Sequence, residues 1–205
     1  MRFFSNGQAV DCLGIVMGVR GDVAYVATAR HCLEGVSRIV QDHTLSALRV
    51  HWRVAYANGD IGTKSLTSAH SRMRWHRSLD DLVITTTFTR RPVAYGELCP
   101  TCIGLRPQAG EQTFPVLSVL SSGGGTPVLS SGLLMQDPDG QWTLLLPAAP
   151  GTSGAPVVDP QGNFVGLTSQ GLMRGGAEAS FTVRVVPGHW VVDLVRHSGE
   201  NNDGQ

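Results

Sequence analysis

The 205-residue sequence predicts an all-β protein in two halves that ends in an α-helix. Its 25 glycines and 11 prolines are spread along the chain, a distribution that suits short strands joined by tight turns. Short β-type runs recur at intervals of roughly 8–14 residues, and the proline-containing stretch 90–112 separates them into two groups. One helical pattern, His189–Arg196, follows Pro187 and Gly188 near the end.

The individual strands are predicted from apolar runs and the turn residues between them. Residues 9–28 form one β-rich segment broken at Gly21 and Asp22, a pair typical of a two-residue hairpin turn. The later runs are Ser37–Val40, Leu48–Ala55, Leu82–Phe88, Phe114–Leu120, Pro127–Met135, Trp142–Leu146, Ala155–Val158, Phe164–Thr168 and Ser180–Val185. The tail from Ser198 onward is predicted to be disordered.

Composition and charge argue against several classes of function. Basic and acidic residues number 16 each, so no summed positive field draws the chain onto nucleic acid or an anionic membrane, and neither is expected as a partner. No apolar run approaches the ~18 residues that a membrane-spanning helix needs. The opening residues, MRFFSNGQAVD, lack the apolar stretch of a signal peptide, so a cytoplasmic location is favoured. The basic cluster Arg72–Arg77 is predicted to lie in a solvated loop.

Three short segments carry residues suited to nucleophilic catalysis. His31 directly follows a predicted strand, Asp81 stands at the start of an apolar strand, and Ser153 lies in a glycine-rich turn. A hydroxyl is a poor nucleophile at neutral pH, so it needs a base within hydrogen-bonding reach and a third group that orients the base. The backbone N–H groups of Gly151 and Ser153 are the candidates for holding a developing oxyanion.

These segments resemble the motifs of the trypsin-like serine proteases. Residues 28–32, TARHC, are similar to the TA-A-HC segment of that family. Residues 81–84, DLVI, resemble its D-I/L-A-L/I strand, and residues 151–158, GTSGAPVV, resemble GDSGGPVV. The order His, Asp, Ser along the chain is that of the family. The register of DLVI favours Asp81 over its neighbour Asp80 as the orienting carboxylate.

The resemblance extends over residues 9–197. Residues 166–171, GLTSQG, stand where the family has G-I-V-S-W-G, and residues 180–183, SFTV, resemble its V-Y-T-K strand. The fold implied is the chymotrypsin-like double barrel, two six-stranded-type antiparallel β-barrels with a C-terminal helix. The implied units are residues 1–96 for an N-terminal barrel with the His and the Asp, 97–112 for a linker, 113–188 for a C-terminal barrel with the Ser, and 189–205 for the helix and a disordered tail.

The implied activity is that of a serine endopeptidase. Ser153 attacks a peptide carbonyl with His31 moving the proton, and the acyl-enzyme is then hydrolysed. No metal or organic cofactor is required, and the expected partner is a peptide or protein substrate. A catalytically silent peptide-binding relative and an esterase on the same fold are the alternatives. No oligomeric state is predicted.

The chain departs from the digestive branch of the family in how it would be activated. Zymogens of that branch pair a new N-terminal amine with the Asp just before the catalytic Ser. That position is Thr152 here, and no I-V-G-G segment is present. The departure favours a compact non-zymogen branch, as in bacterial, phage or viral relatives.

The resemblance also suggests where substrate binds. Counting back six residues from Ser153 places Pro147 at the floor of the primary pocket, with Ala148 following along its wall. Thr168, Ser169, Gln170 and Gly171 fall on the strand that pairs with substrate backbone. Because this floor is neutral, uncharged P1 side chains are expected, unless Glu178 turns its carboxylate into the pocket.

The four cysteines form two pairs by position. The resemblance implies a disulfide between Cys12 and Cys32 beside the histidine, with a reduced pair as the alternative. Cys99 and Cys102 form a CxxC in the presumed linker; a thiol pair is favoured over half of a zinc site because a second ligand pair at metal spacing is missing.

Overall fold

The first half of the chain forms two four-stranded sheets. The computed structural model describes residues 2–5, 8–20, 23–34, 49–55, 61–67, 73–75, 82–88, 113–120, 128–138, 140–148, 151–171 and 180–200. One sheet has the order β2-β1-β5-β6, and its strands are β1 (Arg2–Ser5), β2 (Gln8–Asp11), β5 (Arg49–Ala55) and β6 (Ile61–Thr67). The other has the order β3-β4-β8-β7, and its strands are β3 (Ile15–Arg20), β4 (Val23–Ala29), β7 (Met73–Trp75) and β8 (Leu82–Phe88). The closure of these sheets into a first barrel stays a prediction.

Several elements of this half differ from the sequence-based expectation. The predicted run through residue 20 is divided into β2 and β3. In the segment between them, Cys12 forms a disulfide with Cys32, and the N–H of Leu13 donates to the carbonyl of Ser153. Met73–Trp75 forms strand β7 on the edge of β8 and is not loop, since Arg74 pairs with Ile84. Pairing with a neighbouring strand here overrides a polar local sequence. The predicted hairpin is present as antiparallel pairing of β3 and β4, with Arg20 opposite Val23.

The second half folds into a closed antiparallel barrel. Its strands are β9 (Phe114–Leu120), β10 (Val128–Gln136), β11 (Trp142–Ala148), β12 (Pro156–Val158), β13 (Phe164–Gly171) and β14 (Ser180–Pro187), in the order β10-β11-β14-β13-β12-β9. Successive side chains of a strand point to opposite faces. Leu144 and Leu146 are accordingly buried, whereas Leu145 between them is 41% exposed. Buried apolar side chains from all six strands, Trp142 and Val157 among them, fill the interior.

A second hydrophobic core holds the two halves together. Met17, Tyr25 and Ala27 of the first half pack in one cluster with Phe164 and Leu167 of the barrel. The same cluster includes Val186 and the buried face of helix α2 (Gly188–Glu200), formed by Val191, Val192 and Val195. Strand β4 thereby packs against β13, the strand that pairs with β12 in the barrel.

The C-terminal helix is longer than predicted. Helix α2 continues through Glu200, so residues 198–200 are helical, contrary to the expectation of a disordered tail from Ser198. Each further helical residue adds one backbone hydrogen bond to a turn already anchored by buried valines, which favours extension. In the described part of the chain, neither helix has the length and apolarity that crossing a membrane requires. The predicted strand Ser37–Val40 and the linker 97–112 lie outside the described residues.

Candidate active site

His31 and Ser153, from the two halves of the chain, meet at the candidate site. The Nε2 atom of His31 and the Oγ atom of Ser153 lie 2.8 Å apart, across 122 residues of sequence. Both residues are half-buried. When Nε2 is unprotonated, it can accept the proton of the hydroxyl, which is the relationship that an activated serine needs.

His31 stands where a buried strand turns into a short helix. Strand β4 ends at Ala29, and helix α1 (His31–Glu34) begins after a single turn residue. Ala29 is 1% exposed, and Cys32, next to the histidine, is fully buried. Cys32 forms a disulfide with Cys12. The backbone of His31 therefore lies between a strand that pairs on both sides and a residue with a covalent crosslink.

Ser153 lies in a tight turn that two glycines make possible. Gly151 and Gly154 adopt φ values of 93° and 81°, a region that side chains other than glycine rarely adopt. Within the turn, the N–H of Ala155 donates to the carbonyl of Thr152 at 3.0 Å. The turn is thus closed by its own backbone before strand β12 begins.

Strand β13 holds this turn through Thr168. The N–H of Gly154 donates to the carbonyl of Thr168 at 2.8 Å, and the N–H of Thr168 donates to the carbonyl of Ala155 at 2.9 Å. The Thr168 hydroxyl donates to the carbonyl of Thr152 at 2.7 Å and accepts from the N–H of Ala155 at 2.9 Å. Thr168 is 1% exposed, so these bonds are shielded from water.

The first half of the chain also contacts the turn directly. The N–H of Leu13 donates to the carbonyl of Ser153 at 2.8 Å. The carbonyl of Leu13 in turn accepts from the buried hydroxyl of Thr28 at 2.6 Å. Sequence reasoning missed this use of Leu13 and Thr28. A threonine among the apolar residues of a buried strand, at the start of the TARHC motif, is the signal that points to such a role.

Asp81 lies outside the described residues, as does Asp80. Its chain neighbour Leu82 begins β8 and pairs with Ala29, two residues before His31. The structure therefore brings His31 and Ser153 together, and it fixes the strand that follows Asp81 at the same end of the sheet as the histidine.

A protein-family model for the trypsin-like peptidase domain matches residues 12–167. The chain belongs to the trypsin-like peptidase family. The match includes the described segments that carry His31 and Ser153. Because peptidases hydrolyse peptide bonds, the family places the chain among the hydrolases. No curated protein sequence matches this peptidase.

Solved structures resemble the peptidase over nearly its whole length. The HtrA-type protease AlgW with a tripeptide matches with a TM-score of 0.62 at 14% identity, covering 95% of this chain and 58% of AlgW. The MamO protease domain from Magnetospirillum magneticum matches with a TM-score of 0.59 at 15% identity, covering 94% of this chain and 93% of the MamO domain. The active form of the Rv3671c protease from M. tuberculosis matches with a TM-score of 0.61 at 14% identity, covering 95% of this chain and 77% of Rv3671c. The peptidase thus spans little more than half the length of AlgW. At these identities the likeness concerns the fold.

The predicted substrate-binding residues lie on β11 and β13 of the peptidase. Pro147 is exposed near the end of β11, and Ala148 pairs with Ser180 after a shift in strand register. On β13, Ser169 is buried and Gln170 exposed. Gly171 pairs with Val183 after another register shift.

Two further predicted features can be placed. The side chain of Thr168 is bonded to the serine turn, so its hydroxyl is engaged within the protein. Glu178, Cys99 and Cys102 lie outside the described residues.

Proposed function

We propose that this peptidase is a serine endopeptidase acting through a Ser-His-Asp triad. The observation that carries the proposal is the 2.8 Å contact between His31 Nε2 and Ser153 Oγ. As the Ser153 Oγ attacks the carbonyl carbon of a peptide bond, His31 accepts its proton and then donates it to the departing amine. Water, deprotonated by His31, hydrolyses the acyl-enzyme and restores the serine. This chemistry requires neither a metal nor an organic cofactor.

Asp81 is the proposed partner of the histidine. Leu82 lies opposite Ala29 on β4, and Asp81 is its immediate neighbour in the chain, one Cα spacing of about 3.8 Å away. A carboxylate at this end of the sheet would accept the Nδ1 proton of His31 and keep Nε2 free for the serine. Asp80, one residue further along the chain, is the matched control position.

The backbone N–H groups of Gly151 and Ser153 are the proposed oxyanion hole. The φ of 93° at Gly151 supports this role, because such a turn lets neighbouring N–H groups point to one side. Thr152, which replaces the zymogen aspartate, is 3% exposed and has no charge to bury. The turn is then kept in shape by hydrogen bonds and needs no activating ion pair.

A peptide or protein is the proposed substrate, bound between two barrels with residues 1–96 forming the first and 113–188 the second. The structural neighbour AlgW was solved with a tripeptide and with a decapeptide, which supports a peptide as the ligand. Pro147 and Ala148 would form the primary pocket. Ser169, Gln170 and Gly171 on β13 would offer backbone groups to the substrate, next to the Thr168 that holds the serine turn.

Steady-state turnover of a peptide amide and a matched ester by the 205-residue chain tests this function. We expect both to be cleaved and Ser153→Ala to lower kcat by about 10⁶-fold. Asp81→Asn should lower kcat by about 10⁴-fold, whereas Asp80→Asn should stay within a few-fold of the wild type. Cleavage of the ester alone would point to an esterase. Peptide binding without any turnover would point to a catalytically silent relative.

A further inference from the structure

The peptide group that precedes Ser153 is held from its carbonyl side. The carbonyl of Thr152 accepts hydrogen bonds from the Thr168 hydroxyl at 2.7 Å and from the N–H of Ala155 at 3.0 Å. A peptide group is planar, and in the trans form its N–H points opposite to its carbonyl. The direction of the Ser153 N–H is therefore set by whatever fixes the carbonyl of Thr152.

The Thr168 hydroxyl has little freedom to point its proton elsewhere. It accepts from the N–H of Ala155 at 2.9 Å, and that N–H can only donate. Its own proton must therefore go to a carbonyl, and the Thr152 carbonyl at 2.7 Å is closer than that of Ala155 at 3.4 Å. The backbone of Thr168 is also held in place, because its N–H donates to the carbonyl of Ala155 and its carbonyl accepts from the N–H of Gly154.

We propose that Thr168 is a positioning residue that aligns the oxyanion hole through the Thr152–Ser153 peptide. The inference rests on the proposed serine endopeptidase function. The hydroxyl lies on β13, behind the turn, and orients the Ser153 N–H toward the oxygen of the tetrahedral intermediate. It supplies, from a neutral side chain, the restraint that an ion pair at the Thr152 position supplies in an activated zymogen.

Three substitutions at Thr168 and one control test the proposal. Thr168→Val removes the hydroxyl and keeps the shape, Thr168→Ser keeps the hydroxyl, and Thr168→Cys offers only a weak donor. Thr143→Val is the control, because Thr143 is a buried threonine of β11, which pairs with β10 and β14 and not with the strands next to the serine turn. For each variant, kcat is measured per active site titrated with a burst substrate, so an unfolded fraction does not lower it.

We expect Thr168→Val to lower kcat by about 10–100-fold with KM within about twofold, since losing an oxyanion donor outright costs about 10²–10³-fold. Binding of a peptide aldehyde, whose adduct places an oxygen in the hole, should weaken by a similar factor. Thr168→Ser and Thr143→Val should keep wild-type kcat, and Thr168→Cys should fall between.

Wild-type kcat and aldehyde affinity in Thr168→Val would overturn the proposal. If that variant yields no titratable sites, Thr168→Cys decides: a reduced kcat with unchanged KM supports the proposal, and a wild-type kcat overturns it. A rise in KM with unchanged kcat would instead assign Thr168 to substrate binding. These outcomes presuppose an active wild type, so a wild type that neither turns over nor titrates contradicts the proposed function itself.

Discussion

The N–H of Leu13 donates a 2.8 Å hydrogen bond to the carbonyl of Ser153, so the first half of the chain holds the backbone of the proposed nucleophile. Leu13 and Thr28 lie so close to Gly154 that no side chain fits at that position. A Cβ built on Gly154 would meet the carbonyl oxygen of Leu13 and would lie 2.5 Å from the Thr28 hydroxyl. Contact between Leu13 and the turn thus depends on glycine at position 154.

Gly154→Ala should abolish turnover and destabilise the fold. Gly162 offers a matched control, because its φ of 85° is close to the 81° of Gly154 while nothing lies within 4 Å of a Cβ built on it. Gly162→Ala should lose about 1–2 kcal/mol of unfolding free energy from backbone strain alone and keep activity. Denaturant unfolding and peptide turnover of both variants measure the difference. Equal losses in the two variants would show that the close approach of Leu13 has no energetic consequence.

Loss of the Cys12–Cys32 disulfide should lower both stability and activity. The bridge spans 20 residues, and closing a loop of that size in the unfolded chain is worth about 3 kcal/mol. It also joins Cys12, next to Leu13, to Cys32, next to His31. Denaturant unfolding with and without a dithiol reductant measures the effect.

The Cys99→Ser/Cys102→Ser variant isolates that disulfide, because Cys12 and Cys32 are then the only cysteines. We expect it to respond to the reductant as the wild type does. A reductant effect that disappears in this variant would assign the effect to Cys99 and Cys102.

The sequence motifs located the two residues that meet, but not the contacts that hold them. His31 and Ser153 were identifiable because a base and a nucleophile need particular neighbours in sequence. Thr28 and Thr168 act through carbonyls of residues 15 and 16 positions away, and such pairing depends on which strands become neighbours. Thr168 was expected on the substrate-pairing strand, and its strand was predicted correctly, but the side-chain direction was not derivable from the motif.

The elements that the sequence missed have weak local signals. The sequence around strand β7 is basic and was predicted to be a loop. Strand β6 contains a glycine, a lysine and two threonines, and its sequence lacks a strong apolar alternation. Both are stabilised by pairing with one neighbouring strand, Ile61–Thr67 with β5 and Met73–Trp75 with β8. The barrel strands were predicted well because they are apolar runs bounded by turn residues, as Trp142–Leu146 is.

The chain should be active without trimming of residues 1–10. Thr152 leaves no carboxylate for a new amino terminus to pair with, and Arg2–Ser5 forms β1, bonded to β2 on one side and β5 on the other. Removing residues 1–5 should therefore lower the melting temperature by about 5 °C or more. Turnover by the intact chain, with its mass checked afterwards, measures competence. A requirement for N-terminal cleavage before activity appears would contradict this expectation.

Peptides with an uncharged P1 residue should be the better substrates. Pro147 and Ala148 give the proposed pocket no charge, and a neutral site cannot compensate the desolvation of an arginine side chain. With matched peptides that carry Leu, Ala, Gln or Arg at P1, kcat/KM for Arg should be lowest, by about tenfold or more. A strong preference for Arg that is lost in Glu178→Gln would show that Glu178 supplies the pocket charge.

Labelling with a fluorophosphonate probe, followed by peptide mapping, tests the central claim most directly. The His31–Ser153 contact predicts that the folded chain forms one covalent adduct, on the Oγ of Ser153. Ser153→Ala should form no adduct. His31→Ala should react more slowly than the wild type, by a factor of about 10³ or more. A folded wild-type chain that stays unlabelled, or that is labelled on another residue, would contradict the claim that Ser153 is an activated nucleophile.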